Sequence, residues 1–196
     1  YAGGAPSSRT VITHMTRQAA AAEHGKPTPA RRRIVAALAG VRLLAAARAD
    51  AAGSLERGDG RLAPPLRAND LSGQSRSLDD WRGRTVLVNF WATWCAPCVA
   101  ELPSLQRLRE RLAPQGFEVL AVNLQENAAR IAPFAERLGL RFPILRDHDG
   151  AARVAWQVRV YPTSFVIAPD GRIAWVARGE IDWDDADIQS TLRSLR

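Results

Sequence analysis

The chain has 196 residues, 46% of them apolar, which suffices for one globular domain with a full core and some excess sequence but is short for two. A formal charge of +7 and a pI near 10.8 would ordinarily point to nucleic acid or a membrane surface. The charge, however, is confined to one end. Residues 1–49 carry eight basic side chains against Glu23 alone, whereas residues 50–196 balance 19 basic with 19 acidic. A neutral body behind a basic head is the pattern of a targeting segment joined to an ordinary domain, and no nucleic-acid partner is expected.

In chain order, Arg31-Arg32-Arg33 precedes an apolar run over 34–41, Arg42 interrupts, 43–47 is apolar again, and Ala47-Arg48-Ala49 supplies small residues at alternate positions. That is the order of a secretory signal. The run falls short of the ~20 residues a bilayer span needs, and Arg42 near its middle would cost ~2.5–3.5 kcal/mol there. Residues 1–49 therefore read as a leader, with a signal peptide or a weak membrane anchor at about 31–49; Met15 would give it a more usual length. An Ala-rich helical or disordered leader is the bland alternative. With no Cys after the run, lipid attachment there is excluded. The remainder is then expected to be periplasmic or otherwise extracytoplasmic, soluble or membrane-anchored.

Residues 50–61, with Gly53, Gly58 and Gly60, read as a linker into a domain at 62–196. Pro64-Pro65 and the Asn69-Asp70-Leu71-Ser72-Gly73 turn suit an edge hairpin over 62–77. The β-branched and aromatic run 85–91 reads as a central strand buried on both faces, in which Asn89 needs a partner. Val99, Leu102, Leu105, Leu108 and Leu112 recur at helical spacing after Cys95, with Pro103 expected to kink that helix. A second buried strand follows at 117–124 and a helix over 128–138 closed by Gly139. A short extended piece at 140–145, a turn at 147–150 and a short helix at 151–156 come next. Strands at 163–167 and 172–177 flank Pro169-Asp170-Gly171, and a helix over 184–195 opens on aspartates that complement its dipole.

Cys95 and Cys98 are the only cysteines and form the only available pair. A loop this short removes little entropy from the unfolded chain, so a structural staple explains the pair poorly. Chemistry explains it better. At a helix N-terminus, unpaired amides and the dipole stabilise a thiolate, with pKa values of ~3.5–7.5 at such sites. Cys95, the more N-terminal sulfur, is expected to be exposed and to attack a substrate disulfide. Cys98, one turn deeper, would resolve the mixed disulfide and close a Cys95–Cys98 bond.

The stretch from Val86 through Trp94-Cys95-Ala96-Pro97-Cys98 to Glu101-Leu102-Pro103 resembles the active-site segment of thioredoxin-like proteins, most closely the TlpA/ResA-like branch. The similarity extends over about 62–195 and includes Val160-Tyr161-Pro162-Thr163, where the family has its cis-proline, and Gly179 after the last strand. The resemblance implies an α/β thioredoxin fold, a central mixed sheet flanked by helices, with an N-terminal β-hairpin extension. It implies that Pro162 is cis and lies beside Cys95, where an extended substrate segment could pair. Trp94, Pro97 and Tyr161 join Pro162 as expected substrate-binding residues, although Trp94 and Trp91 read equally well as packing. Thioredoxins carry a buried Asp where this chain has Asn89; the TlpA/ResA-like branch has instead a Glu at the position of Glu101. Cys98 and Glu101 then share a helix face, and a buried Glu101 would resist ionising and could shuttle the proton Cys98 must lose. A surface Glu favoured by the helix dipole is the alternative.

The resemblance thus implies extracytoplasmic thiol-disulfide exchange, as a reductase of protein disulfides fed by a membrane thiol electron donor, with apocytochrome c as a substrate. The Gly-Val-Tyr-Gly-Ala-Pro-Glu style of segment of dedicated cytochrome c maturation proteins is absent before Pro162, which lowers that assignment. A disulfide oxidant on the same fold, an inert disulfide in a recruited scaffold, and a copper-binding chaperone using both thiolates with His148 are the alternatives. Copper-delivery relatives usually place three residues between their cysteines and here there are two; His148, in an Asp-rich turn, reads as surface. No cofactor or metal is expected.

Overall fold

A computed structural model describes residues 53–195. The segment 1–49 read as a leader, with its expected signal or anchor at about 31–49, lies outside the described residues. β4 (Thr85–Trp91) is buried at every position and is the centre of the sheet. It runs parallel to β5 (Phe117–Leu124) on one side and antiparallel to β7 (Thr163–Ile167) on the other. The largely β-branched and aromatic composition of β4 suits a strand covered on both faces. Beyond β5 lies β6 (Ile144–Asp147), also parallel, and beyond β7 lies β8 (Ile173–Arg178), antiparallel.

The edges come from the N-terminal part of the described chain. β2 (Arg67–Asp70) and β3 (Ser75–Ser77) form the expected hairpin, and β2 adds antiparallel to β6. The Asp70 carboxylate organises the hairpin turn, accepting from the backbone N–H of Ser72 at 2.9 Å and of Gln74 at 3.0 Å. β1 (Ser54–Arg57) adds to β8 at the opposite edge, completing the order β1-β8-β7-β4-β5-β6-β2-β3. Within the stretch 50–61 read as a linker, residues 54–57 are therefore a strand of the sheet. The glycines that look like flexible spacers are close-approach points. A Cβ on Gly53 would stand 2.7 Å from the carbonyl oxygens of Arg178 and Gly179, and one on Gly58 would collide with the Ile173 carbonyl.

Among the described residues four α-helices accompany the sheet: α1 (Ala96–Leu112), α2 (Ala128–Arg137), α3 (Ala151–Ala155) and α4 (Ala186–Arg193). α1 buries Leu102, Leu105, Leu108 and Leu112 of the stripe that the three- and four-residue spacing foretells, leaves Val99 half-buried, and buries Cys98 and Glu101 as well. Pro103 lies within α1 and the helix continues past it. None of the described helices is long and apolar enough to cross a membrane.

Candidate active site

β4 and β5 run parallel, so their C-terminal ends lie at the same edge of the sheet, where α/β proteins gather their reactive groups. The chain leaves β4 at Trp91 and makes a turn closed by the Cys95 N–H donating to the Ala92 carbonyl at 3.2 Å. Cys95 is the N-cap of α1, with extended backbone (φ −91°, ψ 99°), and its sulfur accepts from the Cys98 N–H at 3.3 Å. Cys95 and Cys98 are joined in a disulfide with Cα atoms 5.3 Å apart. Cys95 is 6% exposed and Cys98 is 0% exposed. The order of exposure follows the chain, but the prominently exposed Cys95 sulfur expected from the sequence is not found in this oxidised state. Folding the sulfur back over the helix end, against the Cys98 amide and into the bond, removes it from solvent.

The surface beside the pair is apolar. Trp94 is 62% exposed and meets Tyr161 edge-on, ring centroids 6.0 Å apart. The Tyr161–Pro162 peptide bond is cis and immediately precedes β7. Pro97 is exposed on the first turn of α1, and Val160 is exposed before Tyr161.

Beneath the pair, Glu101 is 2% exposed. Its Oε1 accepts from the Asn89 side-chain amide at 2.6 Å and its Oε2 from the Ile181 N–H at 3.2 Å. The same Asn89 amide nitrogen donates to Ser164 Oγ at 2.9 Å, which fixes the buried Asn89 between β4 and β7. Burial pushes the Glu101 carboxyl up to about 7; the Ile181 and Asn89 hydrogen bonds oppose this, and the Trp183 indole N–H adds support without reaching full hydrogen-bond geometry. Asn89 therefore does not stand in for an acid. It holds one.

A second buried carboxylate was not singled out from the sequence. Glu126, in the turn between β5 and α2, grips Thr93 by its backbone N–H at 2.7 Å and by its hydroxyl at 2.5 Å. It also accepts from Asn123 at 2.9 Å and from Arg130 Nε at 2.7 Å. Burial pushes this carboxyl up, but the bonds from Thr93, Asn123 and Arg130 outweigh it and hold it below the ordinary value. The available signal was an acidic residue just past the end of a fully buried parallel strand.

His148 is exposed on the turn between β6 and α3. Among the described residues no group of three or more His, Cys, Asp and Glu side chains is gathered around a point that could hold a metal ion.

An eight-stranded mixed sheet flanked by helices, with a disulfide-forming Cys-x-x-Cys at the N-terminus of a helix, defines a redox protein of the thioredoxin-like class. The chain belongs to the AhpC/TSA family, whose pattern matches residues 60–176, and within the thioredoxin-like proteins to the ResA-like thiol-disulfide oxidoreductases. It is 38% identical over 137 residues to the thiol-disulfide oxidoreductase ResA of Geobacillus thermodenitrificans, covering 70% of this chain and 78% of that protein. It is 34% identical over 128 residues to ResA of Bacillus subtilis, covering 65% and 72%. A solved thiol:disulfide interchange protein of the DsbE kind from Chlorobium tepidum superimposes with a TM-score of 0.63 at 27% identity, over 71% of this chain and 99% of that one. The chain is an enzyme of protein thiol-disulfide exchange.

Proposed function

We propose that this enzyme works outside the cytoplasm as a reductase of disulfides in exported proteins, with Cys95 as nucleophile and Cys98 as resolving thiol. The Cys95 thiolate attacks one sulfur of the substrate disulfide, forming a mixed disulfide and releasing the first substrate thiolate. Cys98, deprotonated, then attacks the Cys95 sulfur, releasing the second substrate thiolate and leaving the Cys95–Cys98 bond. Two electrons pass to the substrate, and a membrane thiol carrier returns them. Glu101 takes the Cys98 proton during resolution. A carboxyl with a pKa of about 7 is matched to that task, because it is substantially ionised near neutral pH yet easily protonated.

Trp94, Pro97, Tyr161 and Pro162 form the substrate-contact surface in this reading, supported by the exposed Trp94 ring set against Tyr161. Residues 1–49 would supply export, and a tether if the leader is retained. Apocytochrome c is the substrate to test first, as the family resemblance implies. The single observation that carries the proposal is the oxidised pair at the tip of α1, with the deeper sulfur fully buried and Glu101 one turn further along the same helix.

The midpoint potential of the Cys95–Cys98 couple tests the direction. A value near the thioredoxin end, about −270 mV, supports a reductase; one near the DsbA end, about −120 mV, makes the protein an oxidant instead.

A further inference from the structure

We propose that Glu126 is a positioning residue for the redox reaction: its carboxylate, presented from the turn between β5 and α2, fixes Thr93 and with it the entry of Cys95 into the N-terminus of α1. The inference rests on the reading of Cys95 as the nucleophile. A carboxylate offers about four lone-pair sites, and here four donors fill them. Oε1 takes the Thr93 hydroxyl and Arg130 Nε, and Oε2 takes the Thr93 N–H and the Asn123 amide. Two of the four come from one residue. Arg130 Nε also reaches Thr93 Oγ1 at 2.8 Å, so the three side chains close a ring.

Thr93 has the right place to transmit this grip. It is the second residue of the turn that Cys95 N–H closes onto Ala92, so its amide and side chain set the peptide planes leading to Cys95. Cys95 in turn must keep extended backbone to cap α1 with its sulfur against the Cys98 amide. Release of Thr93 frees those planes, and the sulfur loses its alignment with the helix end that stabilises its thiolate. Anchoring from the neighbouring strand suits this purpose. Asn123 lies on β5 in register with Trp91, the last residue of β4, so the Glu126 clamp ties the turn to the sheet itself.

A positioning role and a purely electrostatic one predict opposite signs. Removing a nearby negative charge would, by itself, lower the Cys95 pKa; removing a clamp raises it. The test uses the full chain with Cys98→Ser, so that one thiol reports, and measures the rate of its reaction with 5,5′-dithiobis(2-nitrobenzoate) against pH. Glu126→Gln and Thr93→Val are each expected to slow the reaction at pH 7 by about ten-fold and to raise the apparent thiol pKa. The double variant should be no slower than the worse single one, and Thr93→Ser, which keeps both donors, should react like the parent.

Unchanged rates and pKa, a lowered pKa, or fully additive losses would each overturn the proposal. If Glu126→Gln does not fold, the contrast between Thr93→Val and Thr93→Ser carries the same test. A parent thiol no faster than a free thiol peptide would instead overturn the reading of Cys95 as nucleophile. A fast parent with equally fast variants overturns only the role of Glu126.

Discussion

Glu101 and Glu126 are both buried carboxylates that frame the redox pair, and the fold sets their ionisation in opposite directions. Glu101 sits one turn past Cys98 in α1, where burial dominates and carries its pKa to about 7. Glu126 holds Thr93, two residues before Cys95, and its hydrogen bonds overcome its burial. The difference lies in the donors. Glu101 receives an Asn amide and one backbone N–H, neither charged, whereas Glu126 receives four donors including the Arg130 guanidinium. One carboxylate is left free to trade a proton, and the other is fixed as an anion that organises the turn.

The comparison can be broken first at Glu126. Glu126→Ala leaves the Thr93 N–H and the buried Asn123 amide without their acceptor, and should destabilise the oxidised protein by about 2–4 kcal/mol in urea unfolding at pH 7. A loss within about 0.5 kcal/mol would show the network to be incidental.

At Glu101 the sign reverses. Its folded pKa of about 7 lies above the ordinary 4.5, so the folded state binds the extra proton between those values. The corresponding stability is complete below about pH 4.5, falls as pH rises and is gone above about 7. At 1.36 kcal/mol per unit, the span is on the order of 3 kcal/mol. Glu101→Gln should flatten unfolding free energy measured across that window. For Glu126, with its pKa depressed below 4.5, stability is present above that value and is lost only as pH falls through the lower folded value. A wild-type curve flat from pH 4.5 to 7 would contradict the assignment of Glu101.

The smallest effect on stability is expected outside both wells. Trp94→Ala removes an exposed ring and should shift unfolding by no more than about 0.5 kcal/mol. The reaction with a disulfide-bonded protein substrate should nevertheless slow, while that with a small disulfide changes little. Equal slowing of both would argue against a substrate contact.

Much of this was legible because burial and chemistry left strong local patterns. The run of β4, apolar but for Thr85 and Asn89, the helical spacing from Val99 to Leu112 and the Pro169-Asp170-Gly171 turn each specify their element. Cys95 and Cys98 announced themselves by position as much as by type. What escaped was fixed by contacts distant in sequence. β1 is a strand only because β8 offers it an edge, and its flanking glycines answer to the backbone of Arg178, Gly179 and Ile173, more than a hundred residues away. Glu126 lies 33 residues from Thr93, and its place just past a buried parallel strand marks it as a candidate without naming Thr93 as the residue it holds. Asn89 was recognised as needing a partner, but that the partner is Glu101 follows only once α1 lies across β4.

The exchange reaction itself is tested most directly by trapping. With Cys98→Ser, incubation of the reduced chain with a disulfide-bonded protein should accumulate a stable covalent complex joined through Cys95, seen on a non-reducing gel and dissolved by dithiothreitol. The same incubation with Cys95→Ser should give none. No complex with Cys98→Ser, or one that forms equally well with Cys95→Ser, would contradict the assignment of attack to the sulfur at the tip of α1.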